Sequence, residues 1–374
     1  MKGVVTVRAV IERVRDFIEG CIGGQDRPGR FEELALEVFA HQFERVPLYR
    51  RVCEGRRLRP GKVSHWMEVP AIPADAFKDE LAPEDDAVRI FLSSGTTQGA
   101  ERRSRHAVGA ASLELYRRSS MAHFSAMVMP DRPGEMDVLI LGPTVLTHPQ
   151  SSLGHMFEWA AGEHGGAEAP MMALRGDGHL DVEGAVQWLE RAAAGTRPVL
   201  ILALTSAITA VFEALRARRL ELRLPADSRL VDTGGRKGGR ALSRNGILKA
   251  AWRFLHIPAY LCTSEYGMTE LLSQLYDDAL RSRWSGLLTP RAKMAPAWCR
   301  AQVVDPATLL PVAPGERGLL RYFDLANVES VSAIQTLDVG FEVGNGIEVA
   351  GRASAAESRG CSALVSVLQA GSTT

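Results

Sequence analysis

The first twenty residues set Arg8, Glu12, Arg13, Arg15, Asp16 and Glu19 among apolar neighbours, and from 33 to 53 apolar positions recur at helical spacing. Both stretches predict amphipathic helices. A Pro-punctuated extended segment, Val69-Pro70-Ala71-Ile72-Pro73, then leads into Ala76-Phe77-Lys78 and the acidic turn Glu84-Asp85-Asp86. Beyond it short apolar runs alternate with longer amphipathic ones. Residues 138–141, 171–174, 199–204, 230–231 and 259–262 predict strands; 108–126, 182–193, 206–219 and 242–255 predict helices. Such alternation argues for an α/β core with a largely parallel sheet flanked by helices. After Pro296 the pattern changes to short β-leaning runs, 301–304, 318–322, 332–336 and 346–349, separated by Pro and Gly turns. These predict a small antiparallel subdomain or barrel. The expected organisation is a helical preface and connector (1–85), an α/β core (86–295), and a β-rich subdomain with a C-terminal tail (296–374).

Charge and composition narrow the function classes. In 374 residues, 44 basic side chains balance 44 acidic ones, so no net field gathers nucleic acid or an anionic membrane. The most apolar run, 199–212, is interrupted by Thr205, Ser206 and Thr209 and is shorter than the roughly 20 residues a membrane span needs. The N-terminus lacks the uninterrupted apolar core of a signal peptide. Five scattered cysteines, Cys21, Cys53, Cys262, Cys299 and Cys361, form no C-x-x-C pair and no zinc-type spacing. The expectation is a cytoplasmic protein with reduced thiols, no membrane span and no nucleic-acid partner.

Three strings carry candidate chemistry. Behind the apolar run 88–92 stands Ser93-Ser94-Gly95-Thr96-Thr97-Gln98-Gly99. Small residues let backbone N–H groups approach an anion, and hydroxyls add rotatable donors, so such a loop suits phosphate; on its own it is equally a Ser/Gly-rich surface turn. The second string, Tyr266-Gly267-Met268-Thr269-Glu270, follows a predicted strand, where the ligand crevice of an open α/β sheet lies. It offers a ring for a base, a hydroxyl for an α-phosphate and a carboxylate for Mg2+. In the third, Gln335-Thr336-Leu337-Asp338-Val339-Gly340 with Gly351-Arg352, Asp338 is either a turn residue or an acceptor for both ribose hydroxyls, with Arg352 beside it.

Taken in order, these strings and Asp232-Thr233-Gly234-Gly235 resemble the adenylate-forming superfamily of acyl-CoA synthetases, luciferases and peptide-synthetase adenylation domains. Within it the chain is most similar, over about 31–362, to the acyl-protein synthetases of bacterial bioluminescence. Supporting residues are Ile72-Pro73, Phe77-Lys78, Ser151-Ser152-Leu153-Gly154-His155-Met156, Gly234-Gly235-Arg236-Lys237, Gly315-Glu316-Arg317-Gly318, Asp324-Leu325-Ala326-Asn327 and Arg359-Gly360-Cys361-Ser362. Gln98 before Gly99 departs from the usual loop.

The resemblance implies the large N-terminal domain of that fold and an ATP-dependent reaction. A carboxylic acid, fatty or otherwise, attacks the α-phosphorus to give an acyl adenylate and pyrophosphate, and a thiol then takes the acyl group. It assigns Ser93, Ser94, Gly95, Thr96, Thr97 and Gly99 to the phosphates, Gly234, Gly235 and Tyr266 to the adenine side, and Gly267 and Met268 to the nucleotide. Thr269 falls to the α-phosphate, Glu270 to Mg2+, and Asp338 with Arg352 to the ribose. Cys361 becomes the acyl-carrying thiol, with Arg359 favouring its thiolate, or else an ordinary packed cysteine. His155 orients the carboxylate or gates the acyl tunnel, or is a structural hydrogen-bonder. The sequence ends soon after Arg352, implying that the lysine-bearing mobile domain of relatives is absent; Lys237 and Lys293 are candidate substitute cations, or solvated surface lysines. Met121, Phe124, Met127 and Met129 suit an alkyl chain or a core. The implied partners are an acceptor or carrier protein or coenzyme A, and two alternatives stay open: direct transfer to coenzyme A or a carrier, and a nucleotide-binding module without turnover. A Walker-type NTPase and a dinucleotide oxidoreductase lack their motifs here.

Overall fold

The runs at 138–141 and 199–203 are wholly apolar, and a strand of that kind needs cover on both faces. The structure, a computed structural model, gives it to them. It describes residues 6–24, 29–78, 81, 86–93, 103–234, 241–287 and 289–353. The chain divides into two compact units: Met1–Ala122, Met268–Gln274 and Ala295–Thr374 form the first, His123–Gly267 and Leu275–Met294 the second.

In chain order, the first unit opens with α1 (Val7–Ile22), α2 (Arg30–Arg45) and α3 (Pro47–Gly55). The stretch read as one helix, 33–53, is two, because Val46 is extended and Pro47, which has no N–H to give to a preceding turn, starts a new one. A two-residue strand β1 (Ile72–Pro73) follows. Next comes a hairpin, β2 (Arg89–Leu92) and β3 (Arg105–Val108), paired from Arg89↔Val108 to Leu92↔Arg105. The hydroxyl-rich string joins its two strands. Helix α4 (Ala110–Val128) carries the chain from the first unit into the second.

The second unit holds β4 (Asp137–Leu141), α5 (Ser152–His164), β5 (Met171–Met172), α6 (Val182–Ala193), β6 (Val199–Leu204), α7 (Thr205–Arg218), β7 (Arg229–Thr233), α8 (Arg244–Leu255), β8 (Cys262–Tyr266), β9 (Leu275–Asp277), α9 (Ala279–Trp284) and β10 (Lys293–Met294). Its sheet runs β5-β4-β6-β7-β8-β9-β10, parallel through β8 and antiparallel thereafter. Val186, Leu189, Ile208, Val211, Phe212, Leu215, Ile247 and Phe254, from α6, α7 and α8, pack on Leu139, Val199, Ile201 and Leu230 of the strands. Each such side chain contributes roughly 1.5–3 kcal/mol when fully buried. Phe212 stacks on Phe254 with centroids 6.1 Å apart, so Phe212→Ala would remove the centre of this layer.

One strand differs from its sequence expectation. Residues 259–261 form a 3-10 turn, and β8 begins only at Cys262 and runs on through Thr263, Ser264 and Glu265 to Tyr266. Polarity concealed it; Ser264 and Glu265 are hydrogen-bonded inside the fold.

The first unit resumes with β11 (Cys299–Val304), β12 (Gly318–Asp324), β13 (Ala333–Val343) and β14 (Gly346–Arg352), antiparallel neighbours in that order. β1 pairs in parallel with β13, Ile72 opposite Ile334, so N-terminal connector and C-terminal strands share a sheet. Gly340 is required by close approach: a Cβ there would sit 2.3 Å from the Glu348 carbonyl oxygen.

Candidate functional site

In the first unit the hairpin β2–β3 is closed by Ser93 and Ser104. The Ser93 N–H donates to the Ser104 carbonyl (3.0 Å), and the Ser93 hydroxyl accepts from the Ser104 N–H (3.0 Å). Ser94, Gly95, Thr96, Thr97 and Gly99 lie outside the described residues, as do Gly235, Lys237 and Cys361. Side chains alternate along β3, so Ser104 and His106 share its buried side. The Ser104 hydroxyl hydrogen-bonds the Glu270 carboxylate. His106 Nδ1 is 2.9 Å from the Thr269 carbonyl oxygen, and its Nε2 is 2.9 Å from the Ser330 hydroxyl. A carbonyl only accepts, which assigns the proton to Nδ1 and makes Nε2 the acceptor for Ser330. Burial beside Phe77, whose ring meets it edge-on at 5.4 Å, drives the imidazole down to about 4.

Glu270 is 6% exposed. Burial raises its pKa, while the Ser104 hydrogen bond and Arg352 oppose that rise. The segment after it is held by side chains from the end of β12 and the turn that follows. Asn327 Nδ2 donates to the Glu270 carbonyl (2.7 Å). The Leu272 N–H donates to Asp324 Oδ2 (2.9 Å) and Asn327 Oδ1 (3.1 Å), and the Ser273 hydroxyl donates to Asp324 Oδ1 (2.7 Å). Gln42 of α2 in turn accepts from the Ser332 N–H at 3.1 Å. The register of β13 and β14 sets half-buried Asp338 opposite exposed Arg352. Thr269, Glu270, Asp338 and Arg352 therefore belong to one unit.

In the second unit, parallel β7 and β8 end side by side, Thr233 opposite Glu265, and one step further come Gly234 and Tyr266, followed by Gly267. This is the carboxyl edge, where ligands of open α/β sheets bind. Gly234 has φ +94°, a conformation glycine adopts without strain. The Thr205 hydroxyl lies 3.0 Å from Asp232 Oδ2, 3.1 Å from the Thr233 carbonyl and 2.8 Å from the Gly234 carbonyl, gathering the end of β7. Thr233 donates to Glu265, whose carboxyl burial pushes up to about 7.

Lys293 does not stand as a solvated or spare cation. Its ammonium is buried, donating to the Ser264 carbonyl (2.6 Å) and to Asp277 Oδ1 (3.0 Å), and Arg244 and Arg291 converge on Asp277 as well. His155, near the start of α5, is buried, with Nδ1 donating to the Ser151 carbonyl at 2.9 Å and its ring against Trp159. Met121, Phe124, Met127 and Met129 are all at most 4% exposed. Sequence reasoning missed Ser104, His106 and Ser330; the only available signal was the period-two alternation from Ser104 to Val108. Asp324 and Asn327 entered only through a resemblance, and their work is to hold residues 270–273.

The model of the family described as "Acyl-protein synthetase, LuxE" matches residues 24–369. No curated protein sequence matches the chain. Among solved structures, 2-hydroxyisobutyryl-CoA ligase in its postadenylation state with 2-HIB-AMP is similar with a TM-score of 0.62 at 14% identity, over 92% of this chain and 67% of that one. The open conformation of that ligase, with 2-HIB-AMP and CoA, gives 0.61 at 15% identity over 86% and 72%. Its thioesterification state gives 0.57 at 17% over 92% and 68%. At such identities the likeness is one of fold, and the fold is that of adenylate-forming enzymes.

Proposed function

The chain belongs to the LuxE acyl-protein synthetase family, ligases that activate a carboxylic acid with ATP and pass its acyl group to a thiol, and we propose that its chemical centre is the Thr269–Glu270 step. The observation that carries this reading is the buried Glu270 carboxylate beside Thr269, on a backbone that His106, Asn327 and Asp324 hold through both carbonyls and the Leu272 N–H. Catalysis of adenylation is mostly positioning and charge neutralisation, and this is the part of the chain built to position. In this reading Thr269 binds the α-phosphate, Ser93, Ser94, Gly95, Thr96, Thr97 and Gly99 the other phosphates, Tyr266 with Gly234 and Gly235 the adenine, Gly267 and Met268 the nucleotide, and Asp338 with Arg352 the ribose.

Mg2+ suits the donor set. Burial raises the Glu270 pKa, so a cation would relieve its charge, and no group of three or more His, Cys, Asp or Glu able to hold a metal occurs among the described residues. Mg2+ keeps waters and substrate phosphates and needs only one or two carboxylates, so Glu270 would hold it. When bound it would offset phosphate charge.

The acid is fatty or another acyl acid, and the thiol is Cys361 or that of a partner or carrier protein; His155 and Lys237 remain candidates for orienting the carboxylate and supplying a cation. The cytoplasm is the compartment that suits the scattered cysteines, of which Cys53, Cys262 and Cys299 are free thiols; no helix among the described residues is long and apolar enough to cross a membrane. Carboxylate-dependent exchange of pyrophosphate into ATP, screened over fatty, aryl and amino acids, tests the centre. Thr269→Ala and Glu270→Ala are each expected to lose at least about a hundredfold, and unaltered exchange in either would reject the assignment. Cys361→Ser separates the acceptors: loss of acyl-enzyme with retained acylation of an added thiol means direct transfer.

A further inference from the structure

Resting on that reading of the Thr269–Glu270 step, we infer that His106 is a positioning residue for adenylation, the rigid strut that fixes Thr269 against strand β3. The strand reaches the step twice, through side chains two residues apart on its buried side. Ser104 meets the Glu270 carboxylate, and His106 meets the Thr269 carbonyl at 2.9 Å. Asn327 takes the next carbonyl, that of Glu270, at 2.7 Å. Two consecutive peptide carbonyls are thus pinned by side-chain donors from different parts of the first unit. A peptide plane held through its oxygen cannot rotate, and its orientation sets where the Thr269 side chain and the adjoining N–H point.

Histidine is suited to this work. The span needs a donor at one end and an acceptor at the other on a body without internal rotation. The imidazole supplies Nδ1–H for Thr269 and Nε2 for the Ser330 hydroxyl, 2.9 Å away, so its tautomer is set by its two neighbours. Burial keeps the ring neutral through the working pH range, so no proton is taken up that would destroy the acceptor. At Thr269 the strut engages only the main chain and leaves the hydroxyl to the ligand. Its contribution belongs to the transition state: a displaced Thr269 still admits ATP but no longer meets the α-phosphate as charge shifts upon it.

The test uses the full chain and carboxylate-dependent pyrophosphate exchange. His106→Leu removes both hydrogen bonds. It is expected to lower kcat about tenfold or more while the KM for ATP moves less than about threefold, the pattern of an interaction realised in the transition state. His106→Gln, which keeps a donor and an acceptor, should recover most of that loss. Ser330→Ala removes only the donor to Nε2; it should lower kcat by about threefold and shift the His106 Nε2 resonance in 15N NMR, a readout independent of turnover. If His106→Leu does not fold, the Gln and Ala variants decide. Unchanged kcat in a folded His106→Leu, a loss confined to KM, or equal losses for Leu and Gln would overturn the inference. Thr269→Ala keeps the two readings apart. If it retains exchange the reading of the centre falls, whereas if it abolishes exchange and His106→Leu does not, only the strut falls.

Discussion

Two buried aspartates, Asp324 in the first unit and Asp277 in the second, are kept by opposite means. Asp324 accepts from the Leu272 and Ala326 N–H groups and the Ser273 hydroxyl. Asp277 is ringed by Lys293, Arg244 and Arg291 and also accepts from the Ser264 N–H at 3.1 Å. Neutral donors have fixed directions, and they orient the strip of main chain that carries Glu270. Cations compensate charge with little directional demand, and they hold β8, β9 and β10 together. The difference teaches which of the two was built for precision and which for cohesion.

That contrast makes the cohesive site the more damaging one to break. Asp277→Asn leaves buried Lys293 and two partly buried arginines without their counter-charge, and removing one side of a buried pair costs about 3–5 kcal/mol. Denaturant unfolding followed by circular dichroism should report a loss of that size. A loss below about 1 kcal/mol would mean that the cluster behaves as a surface ion pair and that the contrast is empty.

Asp324→Asn should cost less in stability, about 1–3 kcal/mol, and more in activity. The amide keeps one acceptor oxygen and turns a donor toward the groups that met the other, so residues 272–273 lose part of their anchor and the Thr269–Glu270 step slackens. Its pH signature has a definite sign. Burial raises the Asp324 carboxyl from 3.8 to about 6, so across that window the folded chain holds a proton that the unfolded chain has released. Its contribution is complete below 3.8 and lost as pH rises through 6. In the variant this decline disappears; an unchanged slope over the same window would refute it.

The same contrast explains what was legible in the sequence. The long apolar runs announced β4 and β6, and α6 matched its expected span, 182–193, because packing alone specifies them. The Tyr266–Glu270 string stood out because its residue types are unusual together. His106 and Ser330 were invisible because they are joined only by the fold, 224 positions apart. Lys293 read as a substitute cation or a solvated surface lysine because a sequence shows no counter-ion; Asp277 supplies it. β8 was placed too early because its buried polar residues lower the apolar score that marks a strand.

A buried histidine and a buried glutamate set up a smaller, opposed pair of effects within the second unit. His123 donates to the Met294 carbonyl at 3.0 Å, and burial lowers it from 6.5 to about 4. The unfolded chain takes up a proton there first, so stability is lost as pH falls from 6.5 toward 4. Glu265, raised from 4.5 to about 7, acts the other way: the folded chain keeps a proton that the unfolded chain gives up, and stability is gained as pH falls from 7 to 4.5. Glu265→Gln should therefore steepen the acid loss between pH 7 and 5, and His123→Gln should flatten it. Urea midpoints at pH 7, 6 and 5 measure both, and equal slopes in the two variants would contradict the assignment.

The smallest effect comes from two helix caps and bears on His155. Ser151 accepts from the Gly154 N–H at 3.1 Å, and Ser243 from the Gly246 N–H at 3.2 Å, each satisfying an amide at the start of its helix. Either serine replaced by alanine should cost about 1 kcal/mol. Ser151 differs in that its carbonyl also receives His155 Nδ1, a contact that survives the substitution because it uses the main chain. If the main-chain contact to that carbonyl suffices to orient His155, Ser151→Ala and Ser243→Ala match in stability and both leave pyrophosphate exchange intact. If the Ser151 variant alone loses exchange, the cap of α5 sets where His155 points, and the second unit too contains a site built for direction.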